Sequence, residues 1–302
     1  MVMAMFASTP TRRAVLGIAT LPLAGSLGGC ATPLPLDQRP QPSPAGAARF
    51  GDSAQAHGLL AYRGLSDINV SYDGAWRPFI EAVQPVVVDA GFRGRSQERL
   101  LPAAATVAQA YSGPRGAKQV LWQRGRDVAG SRVAVWFNGR PSTDEAARRA
   151  AAVVAECYGL FLLGPLWLAG RQLPWQVDGT ERVDGRLCDV LQAWLTPGLG
   201  LSPQDRVTLC IDRDSSITRR MRFTLEGYAG TQGAVAETDT FEHARRFGVL
   251  WPMRSYERVA HPISLPAHDW RITGLDVNRG YGSDALAGPE FSGAAAAPAT
   301  AL

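Results

Sequence analysis

Between Leu187 and Val277 the sequence breaks into short apolar–polar segments, separated by turn residues at nearly regular spacing. Leu187–Leu195 follows two turn dipeptides, Asp178-Gly179 and Asp184-Gly185, and Arg206–Ile211, Thr218–Leu225, Ala234–Phe241, Val249–Tyr256 and Trp270–Val277 come after it. Alternation with a period of two gives each segment one face for a core and one for water, so each reads as a strand. Strands joined by such turns bury their apolar faces as an antiparallel meander, in a sandwich or a barrel. Ile68–Tyr72, Pro85–Phe92, Val120–Gln123 and Arg132–Phe137 extend this reading toward the N-terminus. The 32 Gly, 21 Pro and eight Trp among 302 residues suit short strands and turns, and 46% hydrophobic residues exclude general disorder.

One helix stands out. Ser142-Thr143-Asp144-Glu145 forms a capping box, with Pro141 before it. Glu145, Arg148, Arg149 and Glu156 fall on one face, and Val153, Val154, Cys157, Tyr158 and Phe161 on the other. The helix leads into Leu160–Leu168. Glu156 is the one charge in Ala150–Ala169, so a membrane span must be weighed; Glu156, Gly159, Gly164 and Pro165 argue against it. The expected fold is therefore β-rich α+β: a curved antiparallel sheet with an apolar helix packed on its concave face.

The ends of the chain carry a different signal. Arg12-Arg13 opens an apolar stretch that runs to about Leu27, the layout of an export signal too short to span a membrane. The arginine pair resembles a twin-arginine signal, although an ordinary export signal can contain two arginines. Leu27-Gly28-Gly29-Cys30 resembles a bacterial lipobox, which implies a signal peptide over 1–29 and a lipidated Cys30. Several acyl chains on one cysteine anchor a protein stably. In such lipoproteins Ala31 at the next position implies outer-membrane delivery. Pro33, Pro35, Pro40, Pro42 and Pro44 read as a semi-rigid tether within 30–49, followed by one domain over 50–282 and a disordered Ala-rich tail over 283–302.

Leu187-Cys188-Asp189-Val190-Leu191 and, after a loop, Val207-Thr208-Leu209-Cys210-Ile211-Asp212 lead on to Thr218–Leu225, Phe241 and the Gly248–Tyr256 strand. With the inserted apolar helix and the lipobox, this succession resembles the lipoprotein-carrier superfamily, the half-barrels of the LolA/LolB type. The resemblance is best over 180–280 and looser over 65–178. It implies a curved sheet closed by helices over a lipid-sized cavity. The expected function is then that of a cell-envelope lipoprotein binding a hydrophobic or lipidated ligand, such as an acyl chain. The membrane, through Cys30, is one partner, and an envelope protein is another candidate. Trp136, Phe161, Trp167, Trp194 and Trp251 are the expected ligand-binding residues, with ordinary core packing as the alternative for each.

Two other readings compete: a scaffold lipoprotein without a cavity, and an envelope hydrolase. Gly51-Asp52-Ser53 is like the nucleophile block of one esterase class, but no Gly-x-Ser-x-Gly elbow occurs. His57, His243, His261 and His268 show no metal-ligand spacing, so neither metal nor cofactor is expected. Asp212-Arg213-Asp214-Ser215-Ser216 lacks the Gly and terminal Glu of a calcium loop and reads as a turn. The net charge is +4, half of it from Arg12 and Arg13, and the basic residues are scattered, which excludes nucleic-acid binding. Cys188 and Cys210 would face each other if their strands form a hairpin. A disulfide and two small buried residues are both open there.

Overall fold

The computed structural model describes residues 41–286 and 288. The expected signal peptide, Cys30, the expected tether up to residue 40 and most of the expected tail lie outside these residues.

The described residues form one open antiparallel sheet of thirteen strands. Its first meander is β1 (Ile68–Trp76), β2 (Arg95–Leu101), β3 (Thr106–Gly113), β4 (Gly116–Gln123), β5 (Arg132–Phe137) and the two-residue β6 (Arg140–Pro141). Its second is β7 (Gln176–Val183), β8 (Arg186–Leu195), β9 (Asp205–Asp212), β10 (Thr218–Thr224), β11 (Val235–Arg246), β12 (Val249–His261) and β13 (Leu265–Val277). β1 pairs with β13 at the centre, and each meander runs outward to an open edge. Helices α1 (Pro44–Ala56) and α2 (Leu59–Arg63) precede the sheet, while α3 (Pro78–Val83) and α4 (Pro85–Val88) follow β1. Then α5 (Glu145–Leu163) and α6 (Pro165–Leu168) join the two meanders.

This topology explains the long helix. The chain leaves the sheet at the β6 edge and re-enters at the β7 edge, so the connection must cross the sheet. It crosses the concave face: α5 packs on β3, β4, β5 and β12, and α4 and α6 pack against it as well. Ala147 and every residue from Ala150 to Leu163 are buried, as expected for a helix apolar all round. Alternate strand residues meet it, among them Leu100, Val107, Val120 and Val135 from the first meander and Leu191, Leu209, Phe223 and Trp251 from the second. A positive φ of 53° at Gly164 and then Pro165 turn the chain through 117° into the next helix. No single described helix is long and apolar enough to cross a membrane.

Local chemistry moved several boundaries. Asp144 caps α5 in place of Ser142: its Oδ1 accepts the amides of Ala146 (2.9 Å) and Ala147 (3.4 Å). Ser142 is held toward the sheet by its own amide bond to the Val135 carbonyl. Pro85–Phe92 is not a strand but α4 and a 3-10 turn, with Pro85 in the first helical turn and Asp89 left-handed. Residues 44–49 of the expected tether begin α1, where the Ser43 side chain caps Gly46 and Pro44 opens the helix. Ser283–Leu286 form a 3-10 turn, and Leu286 is buried against Leu101, Ala108 and Ala110. β2, β3 and β7 were not anticipated. In β2 and β3 the inward positions include Glu98 and Gln109, which interrupt the alternation.

Candidate functional site

Five aromatic residues were expected to gather around a cavity, and the structure spreads them over both sides of the sheet. Val133, Val135 and Phe137 face α5 from β5, so Trp136 stands on the opposite, convex face. On β8, Ala193 and Leu195 are in the core, and Trp194 points outward beneath the Arg206 guanidinium, 5.2 Å from its ring centroid. Phe161 packs in the core between Tyr158, Phe223 and Trp270 and borders a void of only about 10 Å³. Trp167 donates its indole N–H to Glu156 Oε1 at 3.0 Å, and Trp251 donates to the Arg246 carbonyl at 3.0 Å. None of the five lines the apolar groove described next.

That groove has a volume of about 470 Å³, within the roughly 300–1,000 Å³ of small-molecule sites. One wall is α3 and α4, two short helices separated because Pro85 cannot continue the first. The facing wall is the outer end of the β12–β13 hairpin, through Val259, Pro262, Leu265 and Ala267. The third side is Leu225 and the segment from Gly230 to Ala236, to which the Gln84 amide donates at the Gly230 carbonyl (2.5 Å). Lining residues Phe79 and Val83 are 57% and 49% exposed, and Ile263, in the turn between Pro262 and Leu265, is 65% exposed. Exposed large apolar side chains that line a groove, as Phe79 and Val83 do, mark a contact surface, unlike scattered ones.

Beside the inner end of the groove lies a polar chamber on the concave face. Trp76 lines the groove and also a second void of about 50 Å³, which Arg93, Tyr111, Tyr158 and His268 border. The Arg93 guanidinium sits 4.5 Å from the Tyr111 ring centroid and 5.9 Å from that of Tyr158. His268 stacks on Trp76 with ring centroids 4.4 Å apart. Burial pushes the His268 ring down to about 3, with Arg93 adding to the effect, so the ring is neutral at ordinary pH. Two carboxyls flank Arg93. Burial pushes Glu98 up to about 8, against hydrogen bonds from Gln109 and Tyr72 and the charge of Arg93. Burial likewise pushes Glu257 up to about 8, with Arg93 alone opposing it. Near neutral pH both are largely protonated, and the chamber is bordered by Arg93, Arg95 and Asp73 together with neutral donors and acceptors.

The residues weighed for other chemistry have structural roles. Ser53 is buried in α1, its Oγ 3.0 Å from Thr218 Oγ1. His57 Nε2 accepts the Thr218 amide at 3.1 Å and is thereby occupied. Asp212 Oδ1 accepts the amides of Asp214 (3.0 Å) and Ser215 (3.4 Å), an Asx turn that joins β9 to β10. The expected Cys188–Cys210 pair is a pair of free buried thiols. Cys188 is the register partner of Asp212, and Cys210 of Val190, so the two are diagonal neighbours. Diagonal positions lie about 7–8 Å apart, too far to bridge. They form a small convex-face core with Val183 and Val190. Glu181, Arg220 and Arg222 join beside it, Glu181 Oε1 lying 2.5 Å from Arg220 Nη1 and 2.6 Å from Arg222 Nη2.

An open antiparallel sheet crossed by a long helix, with an apolar groove at one end, is a fold found among solved structures. The chain is similar to a LolA superfamily protein from Nitrosomonas europaea, with a TM-score of 0.50 at 12% identity over 80% of this chain and 97% of that one. It is equally similar to a DUF1329 family protein from Desulfovibrio piger, with a TM-score of 0.50 at 11% identity over 83% of this chain and all of that one. At these identities the likeness is one of fold. No family model and no curated protein matches the sequence.

Proposed function

We propose that this chain is a cell-envelope lipoprotein, anchored through Cys30, whose β-rich domain holds the apolar part of a lipidic ligand in the groove between α3–α4 and the β12–β13 hairpin. The groove itself carries the reading: about 470 Å³ with mostly apolar walls, which include the exposed Phe79 and Val83. The ligand contacts expected at Trp136, Phe161, Trp167, Trp194 and Trp251 pass to the groove residues. The lipobox supports anchoring, and Ala31 favours the outer membrane, with the domain facing the periplasm. A membrane is then the first partner, and a lipidated envelope component the ligand. Binding is the role the groove supports, and Ser53 and His57, two of the residues weighed for hydrolysis, are each engaged inside the fold.

Native mass spectrometry tests this on the full chain carrying Cys30→Ala, exported to a bacterial periplasm and purified without detergent. Co-purifying mass in the acyl or phospholipid range is expected. Phe79→Glu with Val83→Glu, both at exposed positions, should remove that mass while the circular dichroism spectrum is kept. A clean apo mass that takes up no added lipid would overturn the proposal in favour of a scaffold.

A further inference from the structure

Thr238 on β11, Glu257 on β12 and His268 on β13 are successive register partners, and Trp76 on β1 ends the row. All three polar side chains are buried. Thr238 Oγ1, Glu257 Oε2 and His268 Nδ1 find no hydrogen-bond partner among the described residues. A buried polar group without a partner loses its hydration and gains nothing in return. Here three such atoms fall in one row, and Glu257 and Trp76 at once line the apolar groove. A neutral carboxyl donates, a hydroxyl donates or accepts, and a neutral imidazole nitrogen accepts or donates according to its tautomer.

We propose that this row recognises the polar linkage of an acyl ligand: the chain lies in the groove, Glu257 donates to the ester or amide carbonyl, and Thr238 and His268 take the neighbouring O–H or N–H. The inference rests on the groove being the ligand site. It adds a chemical class, since a bare hydrocarbon would leave all three atoms without partners. The groups facing Glu257 are Arg93 after α4, Cys157 and Tyr158 on α5, Thr238 on β11 and His268 on β13. Ionisation of Glu257 would replace a donor with an anion set against a carbonyl oxygen, so binding weakens as pH rises through about 8.

The test uses the full chain with Cys30→Ala and two probes, 1-monomyristoylglycerol and tetradecane, with retention through gel filtration as the readout. The glyceride should bind about tenfold tighter than the alkane. Glu257→Leu and the isosteric Thr238→Val should erase that preference, and Glu257→Leu should raise the melting temperature, because it removes an unpartnered buried carboxyl. Between about pH 6.5 and about pH 9.5, wild type should lose glyceride affinity, whereas Glu257→Gln, a donor that does not ionise, should hold it. Equal retention of both probes by wild type, or unchanged glyceride affinity in Glu257→Leu, would overturn the polar row and leave the groove reading standing. Retention of neither probe would remove both.

Discussion

Glu156 is the one charge in the apolar stretch of α5, and it is fully buried. From sequence it counted mainly against a membrane span. In the structure it organises the helix: Oε2 accepts the Trp122 indole (2.5 Å), and Oε1 accepts the Trp167 indole (3.0 Å) and Arg124 Nη1 (2.5 Å). Removing one partner of such a cluster leaves two indole N–H groups and a guanidinium without an acceptor. Glu156→Ala should therefore lose about 3–5 kcal/mol in urea unfolding, and Glu156→Gln less. A loss under about 1 kcal/mol would mean that water replaces the carboxylate. Trp167 looked like a ligand residue because it is aromatic and lies in an apolar run. Its polar partner, eleven positions earlier, was not visible in local sequence.

At the scale of elements, α5 and α6 show how a small residue can matter more than its propensity. A Cβ on Gly159 would lie 2.9 Å from the Trp167 ring. Alanine there gains roughly 0.5–1 kcal/mol of helix propensity but forces the indole away from Glu156, an overpacking cost of roughly 1–3 kcal/mol. The second effect wins, so Gly159→Ala should lower the melting temperature, and a rise would show that α6 gives way easily. The strands show the converse. β5 runs from Arg132 to Phe137, as its alternation requires, and β8 to β10 begin or end within one residue of expectation. In β2, by contrast, the inward sequence includes a glutamate whose partner Gln109 comes from a different strand. Register also decided the cysteines: an offset of two residues between β8 and β9 makes them packing partners.

For the whole molecule, the buried titratable groups shape stability against pH. Glu98 and Glu257 are raised from 4.5 to about 8. The folded state then holds protons that the unfolded state has released, so their contribution is full below about 4.5 and is lost as pH rises toward 8. His57 and His268 are lowered from 6.5 to about 3, and His243 to about 4. Their contribution is present above 6.5 and is lost as pH falls through those values. Urea midpoints should therefore fall on both sides of a mildly acidic maximum. In the double variant Glu98→Gln, Glu257→Gln the alkaline limb should flatten. A parent midpoint constant from about pH 6 to about pH 9 would show that both carboxyls are already ionised in the folded protein.

Fold class was legible because period-two alternation and a long helix with a broad apolar face are local patterns, each with few ways to be buried. The antiparallel meander, its concave-face helix and most strands of the second meander follow from them, while the half-barrel form came only from the family resemblance. The groove was not legible. It is built from proline-broken helices α3 and α4, a hairpin end and the segment after β10, joined only when β1 pairs with β13 some two hundred positions later. The same closure lines up Thr238, Glu257, His268 and Trp76 across four strands. Alternation determines that a strand has an inner face. Which inner residues go unpartnered, and which apolar ones border empty space, depends on the register between strands and on the helix that crosses them, and only the tertiary structure decides those.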